Sequence, residues 1–238
     1  MALLGVCGLR VDAEGRETLP AGGYMLVGAT HRGWMDPFLV LHALPPTPRA
    51  WFLGGAATAF DRPWKERLLR TVGGMLPVWR GGVGVDHHVA AARAVIDAGA
   101  VFVMFPEGGI AGPPDRPAAF RLGTALIALR TDPTIVPFAM AGSAELYRGK
   151  RFATRILPAT SVRGLLGPDM PATLPDPGSH EELELARLLT GRLEVALGPV
   201  VAELFPRTVD PPSRRRRWTR LTWLFVGKPG PRDRGSTG

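Results

Sequence analysis

Three short, uninterrupted runs of apolar residues constrain the fold of this chain more than any other feature of its sequence. They are Gly23–Ala29, Val101–Phe105 and Ile135–Ala141. A continuous apolar run of this length is typical of a buried strand, whereas a helix would need about ten residues or more. Segments with helical patterns separate the runs, and strands that alternate with helices are typical of a largely parallel sheet. The runs therefore predict a layered α/β fold.

Further segments extend this alternation. Additional strands are predicted over Ala50–Leu53 and Met75–Trp79. Helices are predicted over Pro37–Leu44, Pro63–Val72, Asp86–Ala98 and Gly123–Arg130, and from the capping box Ser179–Glu182 to about Leu197. With 45% hydrophobic residues, the 238-residue chain can bury a large core, and residues 1–205 are expected to form a single α/β domain with helices flanking the sheet. Residues 206–238 are expected to form a basic, aromatic-containing and partly disordered C-terminal segment.

A histidine and an aspartate follow the first apolar run. His31 and Asp36 lie five positions apart, which would place them about 140° apart around one helix, so the pair must straddle a turn. We expect Asp36 to be the N-cap of a helix that begins at Pro37. Its carboxylate could then orient the His31 imidazole, whose other nitrogen would take a proton from a substrate hydroxyl. The alternative interpretation is a loop histidine beside an ordinary helix cap.

A lone carboxylate follows the second apolar run. Val101–Phe105 ends in Pro106-Glu107-Gly108-Gly109, which places Glu107 on a glycine-rich turn. The two glycines would let a ligand approach the backbone closely and would leave amide N–H groups available to an oxygen-rich group. The alternative is a plain exit from a strand into a loop.

Four blocks in this order resemble a known family. His31 to Asp36, Leu76 to Gly81, Phe105 to Gly108 and Ile135 to Phe138 resemble the conserved blocks of the glycerolipid acyltransferases, typified by bacterial 1-acylglycerol-3-phosphate acyltransferase. The resemblance runs from about Leu19 to Gly142, roughly half of the chain. The order and spacing of the four blocks are far more specific than any one block.

The resemblance implies a reaction and roles for individual residues. His31 would act as general base on the hydroxyl of a lysolipid acceptor, which attacks the thioester of acyl-CoA or of an acylated acyl carrier protein. Asp36 would hold the imidazole and stabilise the imidazolium. The acceptor-binding residues would be Arg80, Glu107, Gly108 and Arg121. The acyl thioester would be a co-substrate, and neither a metal nor another cofactor is expected.

The chain also departs from the family pattern. Gly109-Ile110 follows the glutamate block where the family usually has Thr-Arg, so one contact to an acceptor phosphate is missing. Either Arg80, Arg116 and Arg121 compensate, or the acceptor is not a phosphate monoester. Two alternatives therefore stay open: a noncatalytic lipid-binding or membrane-adaptor protein on the same scaffold, and a thioesterase.

The charge distribution indicates an acidic partner. The chain has 29 basic and 21 acidic residues, a formal net charge of +8. Many of the basic residues lie beyond Phe205, interleaved with aromatic and aliphatic ones: Arg207, Arg214, Arg215, Arg216, Arg217, Trp218, Arg220, Leu221, Trp223, Leu224 and Phe225. This mixture favours an anionic membrane surface over nucleic acid. With one cysteine and no apolar stretch of eighteen residues, the expected location is the cytoplasm, peripherally at the inner face of the membrane.

Overall fold

The structure is a computed structural model that describes residues 8–33, 35–55, 67, 73–78, 84–110, 112–147 and 149–210. Three predictions fall outside this part of the chain. They are the role of Arg80, the helix over Pro63–Val72 apart from Arg67, and the C-terminal segment beyond residue 210.

A seven-stranded sheet forms the centre of the fold. Its strands are β1 Arg10–Glu14, β2 Tyr24–Ala29, β3 Ala50–Gly55, β4 Gly74–Val78, β5 Val101–Met104, β6 Thr134–Ala141 and β7 Arg151–Ile156. The spatial order is β1-β7-β6-β2-β5-β3-β4. The five strands from β6 to β4 are mutually parallel, whereas β7 pairs antiparallel with β6 and β1 pairs parallel with β7. The predicted α/β fold with a largely parallel sheet is confirmed.

Helices cover both faces of the sheet. The described helices are α1 Asp36–Ala43, α2 Val85–Asp97, α3 Leu122–Thr131, α4 Val162–Leu166 and α5 His180–Leu204. Successive residues of β2 alternate between two cores, because Met25 packs in the cluster that includes residues of α2, α3 and α5 while Leu26 packs in the cluster that includes residues of α1. Every residue of β2 is buried. Burial on both faces explains why the sequence of this strand is continuously apolar.

The two strands that the sequence did not predict, β1 and β7, lie together at one edge of the sheet. β1 and β7 are short strands with charged residues, which gave no apolar run to detect.

The capping box at Ser179 is present, since its hydroxyl accepts a hydrogen bond from the Glu182 N–H at 3.1 Å. However, α5 continues to Leu204 instead of ending near Leu197, because buried side chains line it beyond the internal Pro199. Among the described residues, no helix is long and apolar enough to cross a membrane.

The chain beyond α5 packs back onto the sheet. A short 3-10 helix spans Phe205–Thr208, and the buried Lys150 donates a hydrogen bond from Nζ to the Thr208 carbonyl at 2.7 Å. Tyr147 donates its hydroxyl proton to Asp210 Oδ2 at 2.8 Å. These contacts fix residues 205–210 beside the loop that joins β6 to β7.

Candidate active site

The two carboxylates and the histidine singled out by the sequence meet at one edge of the sheet. β2 and β5 are parallel neighbours, with Val27 in register with Met104. His31 follows the carboxyl end of β2, and Glu107 follows the carboxyl end of β5. Because the carboxyl ends of parallel strands lie at the same edge, side chains that are far apart in sequence come together there.

His31 and Asp36 form the predicted pair. The distance between His31 Nδ1 and Asp36 Oδ2 is 2.7 Å, and the Asp36 side chain is completely buried. The same oxygen accepts the backbone N–H groups of Arg32 and Gly33 at 2.6 and 2.8 Å. Asp36 is the first residue of α1 and Met35 is the N-cap, so the predicted cap position was wrong by one residue. The carboxylate turns back towards the histidine loop instead of capping the helix.

The His31 ring is held from one side by an aromatic ring. The Phe105 and His31 rings stack with centroids 4.4 Å apart and planes 9° from parallel. Gly28 provides the space for this stack, because a Cβ at this position would lie 2.9 Å from Phe105 Cε1. The His31 side chain keeps 17% of its surface exposed, and among the described residues its Nε2 atom has no hydrogen-bond partner. This nitrogen is the one that could accept a proton from a substrate.

Glu107 contacts the protein with both carboxylate oxygens. Oε1 accepts the His31 N–H at 2.8 Å, and Oε2 accepts the Ala118 N–H at 3.1 Å and an Nη1–H of Arg32 at 2.5 Å. The Glu107 side chain is fully buried. Burial raises the pKa of this carboxyl above its usual value, while the Arg32 guanidinium and the two N–H donors oppose the rise.

Arg32 is the site residue that the sequence did not reveal. Its side chain is only 5% exposed and pairs with Glu107, which lies 75 positions away in the sequence. A loop arginine carries no periodicity that would mark it as buried. The only signal in the sequence was that Arg32 lies between His31 and Asp36. Nothing in the sequence indicated that Glu107 would be its partner.

Gly108 and Arg121 lie side by side at the same turn. Gly108 has a φ of +64°, a backbone conformation that favours glycine, and a Cβ there would lie 2.6 Å from Arg121 Cδ. The sequence suggested that the Gly108 N–H would be available to a ligand. In the structure, this N–H instead donates to the Phe105 carbonyl at 3.0 Å. Arg121 precedes α3 and has an exposed side chain.

The fold and the site together define a class of α/β protein with an acid-oriented histidine at the carboxyl edge of a mainly parallel sheet. The model of the family described as Acyltransferase matches residues 10–141, which include His31, Asp36, Glu107, Gly108 and Arg121. This match covers more than half of the chain. The chain therefore belongs to the acyltransferase family, as the resemblance predicted.

Two individual proteins are similar to this chain. The uncharacterized protein ML2427 of Mycobacterium leprae (strain TN) is 31% identical over 182 residues, which cover 67% of this chain and 46% of that protein. The chain thus spans about half the length of this curated relative. The crystal structure of the 1-acyl-sn-glycerophosphate (LPA) acyltransferase PlsC from Thermotoga maritima superposes with a TM-score of 0.54 and 19% identity, over 82% of this chain and 72% of that one. At this identity, the likeness supports the fold.

Proposed function

We propose that the protein is an O-acyltransferase that moves a fatty acyl group from a thioester of CoA or acyl carrier protein to a hydroxyl of a lysophospholipid or related lipid. The observation that supports this proposal best is the 2.7 Å contact between His31 Nδ1 and the buried Asp36 carboxylate. With Nδ1 donating its proton to Asp36, Nε2 is left unprotonated and can act as general base.

In this mechanism the acceptor hydroxyl approaches His31 Nε2 and attacks the thioester carbonyl as it loses its proton. The carbon–oxygen bond of the new ester forms, the carbon–sulfur bond breaks, and the proton held by the imidazolium passes to the leaving thiolate. Asp36 stabilises the imidazolium while it exists, because its buried carboxylate lies 2.7 Å from the ring nitrogen Nδ1. The stack on Phe105 adds a favourable contact between a π face and the developing positive charge.

Acceptor binding is assigned to the turn beside His31. Arg121 offers an exposed guanidinium next to Gly108, which suits an anionic headgroup. Arg80 is proposed to add a second cationic contact by its position in the matching sequence block. The basic, aromatic segment beyond residue 210 is proposed to hold the enzyme on an anionic membrane surface at the inner face of the membrane, where its lipid substrates would be found.

The acceptor dependence of thiol release tests this proposal. Purified protein is incubated with an acyl thioester and a panel of lysolipids with different headgroups, and both free thiol and diacylated product are measured. We expect thiol release only in the presence of a suitable lysolipid, with one product molecule for each thiol. Thiol release at the same rate without any acceptor would identify a thioesterase instead. Binding of lysolipid without release of thiol would identify the noncatalytic protein.

A further inference from the structure

We propose that Arg32 is a positioning residue for the reaction at His31, and that Glu107 serves to hold Arg32 and the His31 backbone instead of binding the acceptor. This inference rests on the proposed function for the reaction itself, while the contacts that support it are independent of the substrate. We call the pair Arg32 and Glu107 the clamp.

The clamp holds the backbone of His31 at both ends. The His31 N–H donates to Glu107 Oε1 at 2.8 Å, and the His31 carbonyl accepts an Nη1–H of Arg32 at 2.9 Å. His31 lies beyond the end of β2, where none of the described strands supplies these partners. The direction of the imidazole from the backbone is therefore set by two side chains, and these are joined to each other at 2.5 Å.

Every N–H of the Arg32 guanidinium is used. The group has five N–H donors. Nη1 donates to Glu107 and to the His31 carbonyl, Nε and Nη2 both donate to the Pro113 carbonyl at 3.0 and 2.8 Å, and Nη2 also donates to the Arg116 carbonyl at 2.7 Å. A buried charge is tolerated only when it is paired and hydrogen-bonded in this way. The guanidinium thus joins the histidine loop to the segment that leads to Arg121.

Glu107 completes the same connection from the other side. Its Oε2 atom accepts the Ala118 N–H as well as the Arg32 donor, and none of the Glu107 side chain is exposed. An acceptor lipid would have to displace these donors in order to reach the carboxylate. Replacing one partner of a buried pair leaves the other charge uncompensated. The clamp therefore fits a role in fixing the base better than a role in binding the acceptor.

Steady-state kinetics separate these two roles. Arg32→Lys keeps the charge but lacks the planar fork, and Glu107→Gln keeps the shape but replaces one acceptor oxygen with a donor. If the clamp positions His31, each change lowers kcat by about 100-fold and leaves the KM for the lysolipid within about twofold, since a displacement of about 1 Å can cost this much. A raised KM for the lysolipid with unchanged kcat in Glu107→Gln would overturn the proposal and assign Glu107 to the acceptor.

Arg130→Gln is the matched control. Arg130 also pairs with a largely buried glutamate, Glu182, at 2.6 Å, and in the described part of the chain neither residue is hydrogen-bonded to the clamp. This variant is expected to lose stability and to keep the kcat of the wild type. An equal loss of kcat in the control would show that destabilisation alone explains the effect, and would overturn the positioning role.

Hydrogen exchange of the His31 amide provides a readout that needs no catalysis. Arg32→Gln and Glu107→Gln are expected to speed exchange of this amide by about tenfold or more, because its hydrogen bond to a charged acceptor is weakened or lost, whereas Arg130→Gln leaves it unchanged. If the wild type transfers no acyl group but the variants speed exchange, the clamp stands and the proposed function fails. Unchanged exchange in both clamp variants would overturn the clamp.

A double variant still tests the positioning role if the variants with single substitutions do not fold. Arg32→Met combined with Glu107→Leu replaces a buried ion pair with apolar side chains, a change that proteins often tolerate. It still removes both contacts to the His31 backbone. If the double variant folds and its kcat is at least about tenfold below that of the wild type, the positioning role is supported. If it folds and its kcat falls by less than about tenfold, the positioning role is refuted.

Discussion

Removing the charge of Asp36 while keeping its shape probes the proposed mechanism most sharply. In the structure, one carboxylate oxygen accepts hydrogen bonds from His31 Nδ1 and from the N–H groups of Arg32 and Gly33. The other oxygen, Oδ1, is buried and has no partner among the described residues. Asp36→Asn can therefore keep its carbonyl oxygen towards the three donors, with its NH2 group at the unpartnered position.

This geometry gives the expected changes in kcat and in the free energy of unfolding. With His31 Nδ1 and Asp36 Oδ2 2.7 Å apart, the centres of the two charges are about 4 Å apart, which at an effective dielectric constant of about 20 is worth about 4 kcal/mol to the imidazolium. At about 1.4 kcal/mol for each tenfold change in rate, Asp36→Asn should lower kcat by about 1,000-fold. The three hydrogen bonds also lose their charge assistance, at about 1 kcal/mol each, so the free energy of unfolding should fall by about 3 kcal/mol.

Both magnitudes can be measured on the same samples. The rate of thiol release at saturating thioester and lysolipid gives kcat, and urea unfolding gives the free energy of unfolding. Asp86→Asn is a suitable control, because the Asp86 side chain is 86% exposed and lies outside the site. If Asp36→Asn stays folded and keeps more than about a tenth of the wild-type kcat, the Asp36 carboxylate does not support the base despite lying 2.7 Å from His31 Nδ1.

Three further outcomes are expected. Gly28→Ala should lower kcat and reduce the free energy of unfolding by about 1–3 kcal/mol, because its Cβ would lie 2.9 Å from the Phe105 ring. An unchanged Tm and an unchanged kcat would contradict this expectation. Hydrogen bonds from Arg130 lower the pKa of Glu182, so this group stabilises the fold above its ordinary pKa of about 4.5, and the stabilisation is lost as the pH falls through the lowered value. Glu182→Gln should therefore be less stable at pH 7 and show a shallower loss of stability in acid, and an identical pH profile would refute the assignment. Removing residues from Arg214 onward should weaken binding to anionic but not neutral vesicles in a sedimentation assay, and unchanged binding to anionic vesicles would reject a membrane role for the segment.

The parts of the fold that the sequence predicted are those with a local signal. β2 and α1 were predicted because a continuous apolar run leads into a turn and Pro37 favours a helix start. The contact between His31 and Asp36 could be predicted because a short turn between these two elements leaves few ways to place residues five positions apart. β1 and β7 contain no continuous apolar run, because Arg10–Glu14 alternates charged and apolar residues and Arg151–Ile156 mixes them, and their pairing depends on partners far along the chain.

The clamp shows why the rest of the site could not be predicted. Arg32 and Glu107 are 75 positions apart and meet only because β2 and β5 are neighbours in the sheet. Strand order is a property of the whole fold and leaves no trace in either local sequence. The sequence suggested that Glu107 is open to a ligand, whereas the structure shows both oxygens in contact with protein donors, which only the packed loops around Ala118 and Arg32 provide.

The rate of acyl transfer by His31→Ala tests whether His31 is the general base. The assay follows the diacylated product by mass spectrometry at saturating thioester and lysolipid, beside His180→Ala, whose histidine side chain is 78% exposed on α5. Loss of a general base is expected to lower kcat by about 100- to 10,000-fold, with the control equal to the wild type. Product formation by His31→Ala at the wild-type rate would show that His31 is not the base.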